Sequence, residues 1–331
     1  MNYRKLGRTG LGVSPICLGT MGYGPPTRQD QVNEMVCTAL DLGVNFIDTA
    51  NCYDGPNRTE IVHGYAEMML GEALKDGLRD EFVLLTKAGV PIRTGEQHRG
   101  LSSTHLIRAL DSSLKRLRTD TVDIFMIHWP DAFADKEEVL RAIDTMIRSG
   151  RARYFGISNH QAWEVCEYLW EADRHNFPKA GVSEIPVSLL NRRFENDLPF
   201  YARNNIGVLA YQPLQAGLLS GKYKRGFGMD LPAGDRIAGW TPEASDDLYD
   251  QLEALEPFAA EAGLTLAEYS FAWVLAQPSV VSAIAGVRQK EELISAVKAA
   301  GYSLPEEHLD KINAICPGPE KPKPRFYRYL G

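Results

Sequence analysis

STHLIRALDSSLKRLRTDTVDIFMIH, residues 103 to 128, joins the two periodicities on which the fold turns. In its first part, 103–117, Leu106, Leu110, Ser113, Leu114 and Leu117 recur three or four apart, which gathers small and apolar side chains on one helix face. After a polar break comes 122–127, a short apolar run of strand character that ends at His128. One amphipathic helix, one buried strand and a polar residue at the strand end make a unit that the rest of the chain repeats.

Working outward, β-rich runs fall at 16–18, 44–47, 82–86, 122–127, 153–157, 182–187, 207–210 and 280–285. Between them, 31–42, 66–76, 103–117, 136–149, 161–174 and 289–299 carry apolar residues at helical spacing. Eight strands alternating with helices, with no break in composition, predict an α/β fold of the closed (β/α)8 TIM-barrel type, a single domain over 1–331. Ahead of the barrel, Gly7-Arg8-Thr9-Gly10 between two short β-runs reads as an N-terminal β-hairpin. The gap 212–279 is too long for one crossover. It reads as a long Gly-rich, charged loop over the C-terminal mouth, then helices at about 244–262 and 265–277.

With 331 residues, 44% of them hydrophobic, the chain can bury a large core. Lys+Arg number 36 against Asp+Glu 43, for a net charge of -7 without long blocks of one sign, so neither nucleic acid nor a membrane is an expected partner. A small molecule is. The N-terminus lacks the apolar stretch of a signal peptide, and no run approaches the ~18 residues of a membrane span, so a cytoplasmic location is expected. Five scattered cysteines without a Cys-x-x-Cys pair read as reduced thiols, with no metal site. Cys52, between Asp48 and Tyr53, reads first as an ordinary small residue.

Barrel enzymes place their chemistry at the C-terminal strand ends, which here offer Asp48, Tyr53, Lys87, His128, Ser158, Asn159, Glu184, Tyr211 and Arg288. Any one of these is ordinary as a loop residue or helix cap; the set is not. A neighbouring ammonium lowers the pKa of a phenol, and a buried lysine keeps its proton only beside a carboxylate. Asp48 is therefore expected to hold Lys87 charged, Lys87 to tune Tyr53, and Tyr53 to exchange a proton with a carbonyl oxygen that His128 orients. Gly-x-Ser-x-Gly, His-Glu-x-x-His, Gly-x-Gly-x-x-Gly and P-loop patterns are all missing from the sequence.

These residues sit in stretches that resemble the aldo-keto reductases, in the branch with the potassium-channel β-subunit-like members. They are YRKLGRTGLGVSPICLGTM, NFIDTANCYDG, LLTKAG, SLKRLRTDTVDIFMIHWPD, YFGISNH, SLLNRR, YQPLQAGLLSGKY and IAGVRQKEEL, spread over nearly the whole chain. The resemblance implies a barrel that binds a nicotinamide cofactor without a Rossmann domain, and a catalytic tetrad on Asp48, Tyr53, Lys87 and His128. It implies carboxamide contacts from Ser158, Asn159 and the position of Glu184, and a nicotinamide-stacking ring at Tyr211. The loop from Gln212 through Leu214, Gly217 and Leu219 to Lys222 matches the one that holds the pyrophosphate. Gly286, Arg288 and Lys290 lie where a 2′-phosphate is read, which favours NADP(H) over NAD.

Three positions depart from that pattern. Glu184 stands where the family has Gln, Val187 where it has an aromatic, and Ser295-Ala296 where it has Glu-Asn. An ionised carboxylate at 184 can only accept hydrogen bonds, so Glu184 either binds a proton beside the nicotinamide or pairs with a nearby Arg or Lys away from it. The expected function is NADP(H)-dependent reduction of aldehyde or ketone carbonyls. The rivals are a cofactor-sensing subunit with little turnover, and a Schiff-base enzyme built on Lys87, against which Asp48 argues. Tyr23, Asn57, Arg58, His63, Trp129, Asp131, Arg236 and Trp240 are candidate mouth residues that would suit a sugar-like or other polyfunctional carbonyl.

Overall fold

In the computed structural model, which describes residues 1–56, 61–225 and 245–320, strands and helices alternate from Ile16 onward. The strands are β1 (Arg4–Lys5), β2 (Gly12–Val13), β3 (Ile16–Gly19), β4 (Phe46–Asp48), β5 (Val83–Ala88), β6 (Val122–Ile127), β7 (Ala152–Ser158), β8 (Val182–Pro186), β9 (Gly207–Tyr211) and β10 (Val280–Ala285). The helices are α1 (Gln29–Asp41), α2 (Tyr65–Ala73), α3 (Ser103–Leu117), α4 (Lys136–Arg148), α5 (Ala162–His175), α6 (Leu198–Arg203), α7 (Asp246–Glu261), α8 (Leu266–Leu275), α9 (Lys290–Ala299) and α10 (Glu306–Ile315). β3 to β10 close into a parallel barrel in the order β10-β3-β4-β5-β6-β7-β8-β9, while β1 and β2 pair antiparallel outside it. Both expectations hold, and α7 and α8 lie where the sequence placed helices. The expected mouth loop at 226–244 lies outside the described residues.

Period-two alternation divides each strand between two cores. On β5, Leu84 and Ala88 pack outward against the helices, while Leu85 points into the barrel. The interior layer is Cys17, Phe46, Leu85, Ile124, Met126, Val182, Leu209 and Ile284, sealed from the N-terminal end by Leu6 and Val13 of the hairpin region. Gly7 makes that seal possible. Its φ is +52°, and a Cβ there would fall 2.3 Å from Gly181 O and 2.4 Å from Gly207 N, so only glycine lets the hairpin reach the barrel floor.

Outside, α3 shows why the helices form. Ser102 caps it by accepting from His105 N, Lys115 and Arg116 close its last turn, and Leu106, Leu110, Leu114 and Leu117 are buried together. Truncating Leu110 to Ala would cost about 2–5 kcal/mol, because a cavity replaces close packing. α6 and α10 have no counterpart in the periodicity. α6 is a single six-residue segment with Pro199 in its first turn, and α10 buries only His308 and Ile312, too narrow a stripe to register as a pattern.

Candidate active site

The alternation that builds the interior also builds the site. Two residues beyond Phe46, Leu85, Met126, Val182 and Leu209, on the same inward face, stand Asp48, Lys87, His128, Glu184 and Tyr211. A polar layer therefore sits directly above an apolar one, at the C-terminal ends of the strands. Tyr53 joins it from the turn after β4, where its backbone N donates to Ala50 O at 3.2 Å. Asp54 pins that turn by accepting from the backbone N of His63, Gly64 and Tyr65 at 2.7, 2.7 and 2.9 Å, which also satisfies the first N–H groups of α2. Sequence reasoning gave Asp54 no role. Asp54 lies eleven residues before α2, too far along the chain to read as a helix cap.

Lys87 is fully buried, and its ammonium donates to Asp48 Oδ1, to Thr49 O at 3.1 Å and to Tyr53 Oη at 3.2 Å. Those three bonds use its three hydrogens. Glu184 Oε2 lies 3.3 Å away, at ion-pair distance, yet receives no hydrogen bond. Burial works against the Lys87 charge, but Asp48 and Glu184 outweigh it and lift Lys87 well above its ordinary pKa. The amine stays protonated and is no nucleophile. Burial raises Asp48, against the pull of Lys87, and raises Glu184 to about 8, with the Asp48 charge adding to the effect.

For Tyr53 the expected direction is reversed. Lys87 does favour the phenolate, but burial of the hydroxyl is the larger effect, and the phenol lies well above its ordinary pKa although part of the ring reaches the mouth. Tyr53 is thus held as a protonated donor. Because its oxygen accepts from Lys87, its own O–H is directed elsewhere. The His128 ring stands edge-on to Tyr53 with centroids 5.8 Å apart, and Cys52 Sγ lies 3.6 Å from His128 Nδ1. Cys52 is more than the small residue expected: its thiol is buried against an imidazole of the site.

A second group surrounds β7 to β9. Asn159 adopts φ +65°, a left-handed turn that asparagine tolerates, and its amide nitrogen donates to His128 O at 2.9 Å and Ser158 Oγ at 3.0 Å. Tyr211 Oη donates to Asn159 Oδ1 at 2.7 Å, and Ser158 Oγ donates to Glu184 O at 3.0 Å. With both amide hydrogens used, Asn159 can meet a ligand only as an acceptor. Burial raises Tyr211 to about 12, so its ring is held neutral. The Glu184 carboxyl lies at ion-pair distance from Lys87.

The loop after β9 runs through left-handed conformations at Gln212, Gln215, Ala216 and Gly217. Within it the N–H groups of Gly217 and Leu219 both donate to Leu214 O, at 2.9 and 3.1 Å. Lys222 supplies the positive charge there: its Nζ would lie 3.9 Å from a Cβ added at Gly217. Past β10, Gly286 and Arg288 are exposed. At the start of α9, Glu292 accepts from the backbone N of Arg288 at 2.7 Å and of Gln289 at 3.2 Å. Lys290 pairs with Glu34 at 3.2 Å, while no ion pair engages the Arg288 guanidinium among the described residues.

Of the candidate mouth residues, Trp129 is exposed, Tyr23 is buried, and Asp131 accepts from the backbone N of Leu101 at 3.1 Å and Phe133 at 3.0 Å. Asn57, Arg58, Arg236 and Trp240 lie outside the described residues. Among the described residues, no group of three His, Cys, Asp or Glu side chains is placed to hold a metal ion, and no helix is long and apolar enough to cross a membrane.

The described residues thus form an eight-stranded parallel barrel with a lysine, a carboxylate, a phenol and an imidazole converging at its C-terminal mouth. Residues 15–316 match the aldo/keto reductase family, and the chain belongs to that family of oxidoreductases. It is 36% identical to the uncharacterized oxidoreductase YrpG of Bacillus subtilis, over 99% of this chain and 100% of that one. It is 32% identical to a probable voltage-gated potassium channel subunit beta of Oryza sativa, with 98% of each covered. Protein tas of Escherichia coli is 30% identical over 95% of this chain and 97% of its own.

Proposed function

We propose that this protein reduces aldehyde and ketone carbonyls to alcohols with NADP(H), Tyr53 giving the proton. The observation that carries this reading is the contact between Lys87 Nζ and Tyr53 Oη at 3.2 Å, which leaves a protonated phenol with its hydrogen free to turn toward a ligand. The nicotinamide, when bound, supplies hydride. Tyr53 passes its proton to the carbonyl oxygen, His128 donates to that oxygen, Lys87 stabilises the phenolate, and Asp48 keeps Lys87 charged.

The chain's own residues suit such a cofactor. Ser158 and Asn159 offer acceptors for a carboxamide N–H, and Tyr211 holds a neutral ring at the mouth. Lys222, with the loop of Gln212, Leu214, Gly217 and Leu219, would face the pyrophosphate, and Arg288 beyond Gly286 would meet a 2′-phosphate. Trp129 would suit the face of a sugar-like or other polyfunctional carbonyl.

Mixing the protein with NADPH and activated aldehydes such as 4-nitrobenzaldehyde tests this, and reduced nicotinamide should be consumed. The relatives named as potassium channel beta subunits favour a second reading, a cofactor-sensing subunit. That reading expects tight NADPH binding with no consumption above background across a broad carbonyl panel.

A further inference from the structure

Glu184 is the one ionisable group of the polar layer that the proposed reaction leaves idle. It is 2% exposed, and its Oε2 receives no hydrogen bond although it lies 3.3 Å from the Lys87 ammonium. The titratable groups around it among the described residues include Asp48 from β4, Lys87 from β5, Tyr53 from the turn after β4, Cys17 from β3 and Tyr211 from β9, and Arg193 acts on Tyr211 in turn. Lys87 is the cation at ion-pair distance from it. With Asp48 ionised, the cluster is electrically neutral when Glu184 carries a proton and negative when it does not, and the surroundings are buried.

We propose that Glu184 stores the proton that reloads Tyr53, passing it through the Lys87 ammonium that lies between the two. The proposal rests on the reductase reading. When a carbonyl is reduced, for which a bound reduced nicotinamide would supply the hydride to carbon, the Tyr53 O–H bond breaks and its proton goes to the carbonyl oxygen, giving the alcohol and a phenolate. Lys87, 3.2 Å from that oxygen, gives the phenolate a proton, and the amine so formed takes the carboxyl proton of Glu184 from the other side. Tyr53 and Lys87 end as they began. Glu184 ends as the carboxylate and takes its next proton from water. The transfer runs downhill, because a carboxyl near 8 gives its proton to a phenolate whose acid lies well above 10. Glu184 touches neither substrate nor cofactor in this scheme and acts only through Lys87.

Two measurements decide it. In infrared spectra of the ligand-free protein, a carbonyl stretch of a protonated carboxyl should be present at about pH 6, fade as the pH rises through about 8, and be absent in Glu184→Gln. In steady-state reduction with NADPH, kcat of the parent should fall about tenfold per unit above that pH; Glu184→Gln should be slower at low pH and lack this limb. Glu184→Asp, which keeps a carboxyl, should retain a limb at a shifted position and guards against a Gln variant that fails to fold. The relay is overturned if the infrared band does not depend on Glu184, or if the limb is the same in parent and Gln variant. A parent that shows the band yet reduces no carbonyl overturns the reductase reading and the relay with it, whereas turnover with an unchanged limb overturns the relay alone.

Discussion

Lys87 Nζ donates to Tyr53 Oη at 3.2 Å while the same nitrogen is bonded to Asp48, so the phenol is tied to a carboxylate through a buried cation. This geometry assigns the proton to Tyr53 and the charge to Lys87. Tyr53→Phe keeps the ring and removes the donor. Turnover of any carbonyl substrate should fall roughly 10²–10⁴-fold, the usual share of general acid–base catalysis, with little change in NADPH affinity measured by fluorescence titration. Near-normal turnover would transfer the acid role to His128.

Removing the cation has a different signature. Lys87→Met leaves Asp48 and Glu184 buried together without a counter-charge, and an unpaired buried charge of this kind costs about 3–5 kcal/mol. Urea unfolding should show that loss. Combining Lys87→Met with Asp48→Asn should recover part of it, because the destabilisation lies in the stranded carboxylate and not in lost packing. A double variant no more stable than the single one would place the cost elsewhere.

Cys52 offers a test of how His128 is held. With Sγ 3.6 Å from Nδ1, the thiol can donate to that nitrogen and leave the ring proton on Nε2. Cys52→Ala should cost about 1 kcal/mol of transition-state stabilisation, roughly fivefold in kcat/KM, and Cys52→Ser should restore most of it. Equal rates for all three proteins would reduce the contact to packing.

The barrel was legible because eight short strands alternate with helices, and Phe46 with Asp48 and Leu85 with Lys87 share one inward face. Asp48, Lys87 and His128 stand at or just past strand ends, with Tyr53 in the turn after β4, which is where the sequence offers its candidates. What escaped the sequence depends on distances across the barrel. Whether burial or Lys87 wins at Tyr53 follows from how deep the hydroxyl lies, and the pairing of Glu184 follows from strands β5 and β8 facing each other across the interior. Neither has a linear signature. The commitment of Gly217 and Leu219 N–H groups to Leu214 O arises from φ values in a loop whose composition would permit several turns.

Cofactor preference should depend on Arg288. Lys290 is engaged by Glu34 and the nearby N–H groups by Glu292, so on the proposed reading the guanidinium would carry the discrimination. Arg288→Ala should weaken NADPH binding by about 1.5–3 kcal/mol and leave NADH binding nearly unchanged, the range of a hydrogen bond to a charged group. The ratio of the two dissociation constants is the observable. An equal loss for both cofactors would mean that Arg288 does not read the 2′-phosphate.

Stability against pH tests the state of Glu184 without any ligand. Its folded-state pKa is raised from 4.5 to about 8, so the folded chain binds this proton more tightly than the unfolded one. The stabilisation this provides is fully present below about 4.5 and is lost as the pH rises through about 8, where a charge must be buried beside Asp48. Glutamine does not titrate. The unfolding free energy of the parent should therefore fall more steeply between those two pH values than that of Glu184→Gln, by an amount on the order of several kcal/mol, since one pKa unit corresponds to about 1.4 kcal/mol. Asp48 and Lys87 are common to both proteins, so their own titrations largely cancel in the difference. Urea melts of the two proteins at intervals across this range give the comparison directly. Parallel curves would show that Glu184 has the same proton affinity folded and unfolded, and with that the buried neutral acid would be lost as an account of the site.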